Sequence, residues 1–454
     1  MTEWTRRSVL AALGLSPAAL ACRPAMRRRA ASAPKPEPFA AALAAARELV
    51  AALHPRFADA YAHIDAGVRH VAIAEADGAH YDALAVARVE FVAVTAAGAV
   101  HRRRADALDP RALAAAVADW LPASAQPRVP AAAAPRVQVP APGRATGDWL
   151  DRAADLHRRA RRHGGSRIVY RAAYVDVRDH ETAVVRADRE RVDRRVRARA
   201  GVAFFAALGA AHHVERAERI AGGDVDAAIP DDAALAAAAA TALSLVTARP
   251  APDEHAQVVM DPSAWAHVAA GAIAPALDAR AWRGGLSAAA ARAGARLAPD
   301  WLSIEDDPTL AGGYASYAFD ERGADAEPTA WIERGVLRGP MERRPSNVVT
   351  RGGTLEDPDA AIAAIDDGYL VESAEGATVD LRSWRIAVRA ARARHIRGGK
   401  FSGRLHGPVA LVADVPSLLA SVANATSASG AVAVRDVAAI APHVVARARV
   451  ARSP

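Results

Sequence analysis

Two hydrophobic rhythms alternate along the chain. Around residues 38–53 the stretch AAALAAARELVAAL spaces its apolar positions as one face of a helix would. The next two stretches, YAHIDAGVRHVAIAEADG and VARVEFVAVTAAGAVHRRR, switch to a period of two and predict strands joined by a turn near Asp77-Gly78. DPRALAAAVADWL (109–121) returns to the helical period, with Asp109 suited to the N-cap and Pro110 to the first turn. A helix near 148–163 follows, then strands over RIVYRAAYVDVRDH, ETAVVRADRERVDRRVRARAG and VAFFAALG, then a helix over 231–247.

The second half has a different texture. VVMDP reads as a strand and 262–277 as a helix of small residues. Short strands and turns come next, with Gly323, Gly335 and Gly398-Gly399 placed where hairpins would fold back. DPDAAIAAIDDGYLVES (357–373) predicts a helix capped by Asp357 that runs into a strand. The sum is an α+β chain of two domains: an N-terminal α/β-type mixed domain and a C-terminal domain dominated by antiparallel β-sheet.

At 454 residues the chain exceeds what one hydrophobic core usually serves. The expected divisions are a signal segment over 1–22, a Pro/Ala/Arg-rich tether over 23–37, a first domain over 38–250 and a second over 251–450. The domain boundary falls at the proline-containing ARPAPDEH, and PASAQPRVPAAAAPRVQVPAPGRA (122–145) is a proline-rich connector inside the first domain. The first segment pairs Arg6-Arg7 with the apolar run SVLAALGLSPAALA and the small-residue exit Ala19-Leu20-Ala21. That order is similar to a twin-arginine export signal and predicts a bacterial protein of the envelope, periplasmic or membrane-anchored. The one cysteine, Cys22, follows at once. It is either the new N-terminus of a released protein or the acylated residue of a lipoprotein.

Composition narrows the partners. The net charge is +7, but lysine occurs only at Lys35 and Lys400, so arginine carries the excess. The most basic run, RADRERVDRRVRAR (186–199), interleaves Asp188, Glu190 and Asp193 and holds no aromatic residue that could stack on a base. A nucleic-acid interface is not expected from such a self-neutralised run.

Chemistry concentrates in the second half. The succession PDWLSIEDDPTLAGGYASYAFDERG, AWIERGVLRGPM, DPDAAIAAIDDGYLVESAEGATVDLRSWRIAV and RHIRGGKFSGRLHGPVAL resembles, in order and spacing, the C-terminal domain of the TldD/PmbA family. The Asp-Trp-Leu-Ser-Ile-Glu-Asp-Asp-Pro segment is closer to the PmbA (TldE) branch. In that family the TldD-type subunit is similar to a zinc metallopeptidase, with a His-Glu-x-x-x-His helix and a late cysteine as ligand set. On the family register Ala270 and Gly271 take the His-Glu places and Pro275 that of the second histidine. Between 258 and 290 the only histidine is His267, there is no glutamate, and no cysteine follows Cys22. One imidazole does not hold zinc. Trp384 also stands where the family usually has glycine.

The resemblance therefore implies a chain without zinc or other cofactor. It would be a non-catalytic subunit or peptide-binding scaffold, working with a TldD-like metal-bearing subunit or by self-association. Two alternatives stay open. One is an active peptidase or hydrolase whose site has moved, with His395, His406 or Glu305-Asp306-Asp307 as candidates. The other is a stand-alone envelope-binding lipoprotein. The acids at 305–307 read first as a solvated turn before Pro308, and Asp320-Glu321 as turn chemistry. His212 and His213, adjacent at a strand end, point to opposite faces and do not ligate together. Gly312-Gly313 lacks the strand–helix context of a phosphate loop, and no Gly-x-Ser-x-Gly elbow occurs.

Overall fold

The structure, a computed structural model, describes residues 39–121, 146–209 and 211–453. The expected signal and tether, with Arg6, Arg7 and Cys22, and the connector 122–145 lie outside the described residues.

The first domain opens with α1 (Phe39–Leu53) and continues through β1 (Asp59–Glu75), β2 (Gly78–Val94), β3 (Val100–Ala105), α2 (Pro110–Ala116) and α3 (Thr146–Ala160). It ends with β4 (Ile168–Arg186), β5 (Glu190–Leu208), β6 (Ala211–Gly222) and α4 (Asp232–Leu245). The six strands form one sheet in the order β3-β2-β1-β4-β5-β6, antiparallel throughout. Strand alternation gives the sheet two different faces. Ala60, Ala62, Ile64 and Ala66 pack with α1, and further along β1 the residues Ala72 and Ala74 pack with Trp149 and Ala153 of α3. The opposite face carries Tyr61, Val92 and Val184 onto Phe319 of the second domain.

The hairpin between β4 and β5 turns at 187–189, not after His180 as the sequence pattern suggests. The polar stretch DVRDHET stays extended because its acids find arginines across the sheet. Asp176 takes both forks of Arg69, and Asp179 takes those of Arg194 at 3.0 and 2.7 Å. Bidentate pairing of this kind fixes geometry as well as offsetting burial of the charge.

The second domain begins with β7 (Glu254–Met260) and a composite helix: α5 (Pro262–Val268), a π turn (Ala269–Ile273) and α6 (Ala274–Ala276). After α7 (Ala279–Arg283) come β8 (Ser303–Asp306), β9 (Thr329–Glu333), β10 (Val336–Leu337), β11 (Asn347–Arg351) and α8 (Pro358–Ala363). The chain finishes with β12 (Asp367–Asp380), β13 (Arg385–Arg397), β14 (Lys400–His406), β15 (Val409–Asp414), α9 (Val415–Ala420), β16 (Asn424–Val434) and β17 (Val437–Arg452). These eleven strands share a sheet in which β7, β12, β13, β15 and β17 close into a ring, since β17 also pairs with β7. Only β7–β12 and β11–β17 are parallel. The α+β class therefore holds, with sheet predominating.

Aromatics are scarce, at 5% of the chain, and the second core uses them as anchors. Trp265, Trp331 and Trp384 are fully buried there among valine, leucine and alanine. The domains meet closely at Gly222, whose N–H donates to Gly312 O at 3.0 Å. A Cβ at Gly222 would lie 2.1 Å from the Gly313 carbonyl oxygen, so only glycine allows this approach.

Candidate functional site

A cleft of about 1170 Å³ opens between β6, the edge strand of the first sheet, and the composite helix of the second domain. Its walls include Glu215 and Arg216 of β6, His267, Ala270, Gly271 and Pro275 of the helix, and Ser373–Thr378 of β12. The tip of the β16–β17 hairpin, with Arg435, completes it.

The helix is shaped by its own sequence. Asp261 caps it, accepting from Ala264 N at 2.8 Å, and Pro262 occupies the first turn. Pro275 has no N–H to give, and its ring would collide with the carbonyl four residues back. The backbone answers with the wide turn, in which Ala274 N reaches Ala269 O five residues earlier. That turn brings positions five apart onto one face. Ala270 and Pro275 accordingly both line the cleft, with Gly271 beside Ala270.

Asp261 also organises the opposite wall. Its Oδ2 accepts from Ser373 N at 3.0 Å, its Oδ1 accepts from the Ser263 hydroxyl at 2.6 Å, and that hydroxyl in turn accepts from Ala374 N at 2.7 Å. These contacts hold Ser373 at φ 57°, a left-handed conformation rare for serine, where β12 bulges between Ala374 and Gly376. Backbone strain of this kind concentrates at functional sites.

The titratable groups here are far from their solution behaviour. Burial pushes Glu215 up to about 7, against the opposing pull of the Arg216 N–H and of the nearby Ser373 hydroxyl. Burial pushes His213 down to about 4, and Arg392 and His212 add to the effect. His267 is lowered, chiefly by burial, and its Nδ1 donates to Ser263 O at 2.8 Å. Desolvation also raises Asp261.

The residues present do not fit a zinc ion. Ala270, Gly271 and Pro275 offer no donor, and His267 commits one nitrogen to a carbonyl. Among the described residues no group of three or more His, Cys, Asp or Glu side chains is arranged to hold a metal. Behind the helix sits Trp384, itself at φ 51°, with its indole N–H donating to Ala272 O at 3.4 Å. A left-handed position is one that glycine takes without strain, and the buried indole is what tryptophan contributes there.

Other candidates fall elsewhere. The reading of 305–307 as a solvated turn is corrected: Asp306 is fully buried, accepts from Ser346 N at 2.6 Å and pairs with Arg343 at 3.2 Å. Asp307 accepts from Thr309 N, and Glu305 pairs with Arg351 on the neighbouring strand. With Oδ1 accepting from Ser346 and Oδ2 facing the Arg343 guanidinium, this buried aspartate ties β8 to the segment before β11 and serves structure. His395 and His406 both stack edge-on against Tyr369, at 5.2 and 5.8 Å. His395 is held by Ser402 and Asp367, and His406 by Pro250 O, and neither lines the cleft. Asp320 accepts from Arg322 N and Ala324 N, as a turn residue does.

Glu215, Ser373 and Asp261 carry no motif. A faint signal exists in HHVERAERI, where Glu215 occupies the same strand phase as the buried Ala217.

Fold and cleft define an α+β protein of two sheets with a deep groove between them. Residues 253–344 match the family described as the PmbA/TldA metallopeptidase C-terminal domain. A metalloprotease of Methanocaldococcus jannaschii is 28% identical over 103 residues, a match spanning 23% of this chain and 23% of that relative's length. A solved structure of a candidate modulator of DNA gyrase from Bacteroides thetaiotaomicron superposes with a TM-score of 0.73 at 13% identity, covering 91% of this chain and 98% of that one. TldE from Thermococcus kodakarensis gives 0.70 at 15% identity, covering 90% of this chain and 100% of its own. At these identities the two structures establish the fold. The likeness to the PmbA/TldA metallopeptidase family itself lies in the second half of the chain, over residues 253–344.

Proposed function

We propose that this chain is a non-catalytic, peptide-binding member of the PmbA/TldD family, working beside a metal-bearing TldD-type subunit or as a self-associated scaffold of the bacterial envelope. The observation that carries the reading is the helix wall of the cleft: Ala270, Gly271 and Pro275 line it without offering a donor, and the sequence resemblance assigns the family's zinc-binding places to these three positions. The cleft has the right character for an extended peptide. Among the described residues β6 ends the six-stranded sheet with no strand paired beyond it, so a bound segment can add to it as a further strand before Gly222, where Gly312 takes the edge. Specificity then comes from the side chains of the opposite wall.

The decisive experiment measures peptide cleavage by the purified chain with and without a chelator, and again after adding a TldD-type partner. Cleavage only with the partner supports the proposal. Chelator-sensitive cleavage by the chain alone sinks it. The envelope location has a separate test, mass spectrometry of the exported protein's N-terminus: a chain beginning at Cys22, free or carrying a diacylglyceryl group, supports it. An intact Met1 in the cytoplasmic fraction contradicts it.

A further inference from the structure

Glu215 is only 8% exposed, yet half of its carboxylate is unsatisfied. One oxygen accepts from Arg216 N at 2.8 Å, while Oε2 has no hydrogen-bond partner. Among the described residues Asp306 Oδ2 is the other buried carboxylate oxygen in that condition, and it has the Arg343 guanidinium at 3.2 Å. Glu215 has no such cation. A buried carboxylate without its counter-charge is costly, and native structures keep one where something else completes it.

The surroundings say what would complete it. Arg392 is the guanidinium whose field reaches Glu215, but it is committed to Thr241 at 2.9 Å and to Glu372, which also binds Arg394. Facing it, the strained bulge presents the Ser373 hydroxyl, which interacts with the Glu215 carboxylate, and then Glu375, an exposed acid without an ion-pair partner among the described residues. Three acceptors from two strands thus converge on one corner of the cleft. They do not make a metal site, since no three-donor cluster exists among the described residues. A primary ammonium, with three N–H donors and one charge, matches them in number and sign.

We propose that Glu215, Ser373 and Glu375 form a subsite for a primary ammonium group on a bound peptide, either its terminal amine or a lysine side chain. The assignment rests on the peptide-binding reading of the cleft. Its probes are three alanine-rich hexapeptides with a fluorophore at the C-terminus: one with a free N-terminus and no lysine, one acetylated with a central lysine, one acetylated with norleucine in that place. Fluorescence anisotropy at pH 8 on the full chain is expected to show one amine-bearing peptide binding about tenfold more tightly than the norleucine peptide. Whichever amine wins identifies the source. Glu215→Gln should abolish the preference, and a retained cooperative thermal unfolding transition shows that the variant is folded. Glu375→Gln, at an exposed position, should reduce the preference about threefold.

Equal binding of all three peptides, or a preference that survives Glu215→Gln, overturns the subsite and leaves peptide binding standing. If no peptide binds, n-butylammonium followed by NMR separates the two ideas. A saturable shift lost in Glu215→Gln keeps the subsite and refutes the peptide reading, and no shift refutes both.

Discussion

The backbone N–H of Ser373 donates to Oδ2 of Asp261 at 3.0 Å, and through this bond the helix cap and the strand bulge become one unit. The same carboxylate starts the helix that lines the cleft on one side and fixes the left-handed serine on the other.

Removing that carboxylate should therefore do more than unseat a cap. Asp261→Ala loses the cap bond, worth about 1 kcal/mol, and strands the Ser373 and Ser263 donors, so a total near 3 kcal/mol is expected. Urea unfolding measures it. A loss under about 1 kcal/mol would mean the bulge does not depend on the aspartate.

Glu215 gives a stability effect with a defined direction. Its folded value lies near 7, above the unfolded 4.5, so ionising it is harder in the folded state. At pH below the unfolded value both states are neutral and nothing is lost. As pH rises from there to about 7 the folded state is penalised, by up to about 3 kcal/mol once the group is ionised. Glu215→Gln should thus gain on the parent chain steadily between pH 5 and pH 8 in thermal unfolding. A gap that stays constant over that range contradicts the assignment.

Trp384 offers a paired test of strain against packing. Trp384→Ala removes a fully buried indole and keeps a side chain at φ 51°, for an expected loss of about 4 kcal/mol. Trp384→Gly loses the same packing but relieves the left-handed strain, and should be the more stable of the two by about 1 kcal/mol. Chemical denaturation of both variants checks the order. If alanine is the more stable, the backbone there is not strained.

Much of this architecture was legible in the sequence. The helix at 39–53, the tight turn before Gly78 and the Asp-Pro caps were visible because local period and capping chemistry agree there. The scarcity of donors over 258–290 was visible because it is a property of one continuous stretch and needs no tertiary information. What stayed hidden depends on partners far away in sequence. The pattern suggests a break after His180, and the strand runs on because Asp176 and Asp179 pair with Arg69 and Arg194 across the sheet. Asp306 reads as solvated until Ser346 and Arg343 are placed against it. Glu215 gains its character from burial, against the opposing pull of Ser373, which lies more than 150 residues later in the chain.

The central claim is that the cleft of this chain works without zinc, and metal stoichiometry tests it most directly. The protein should be purified without chelator, equilibrated with excess zinc, dialysed and measured by inductively coupled plasma mass spectrometry. Fewer than about one zinc per ten chains is the predicted result, since Ala270, Gly271 and Pro275 supply no ligand. One tightly held zinc per chain, lost on replacing His267 or Glu215, would contradict it.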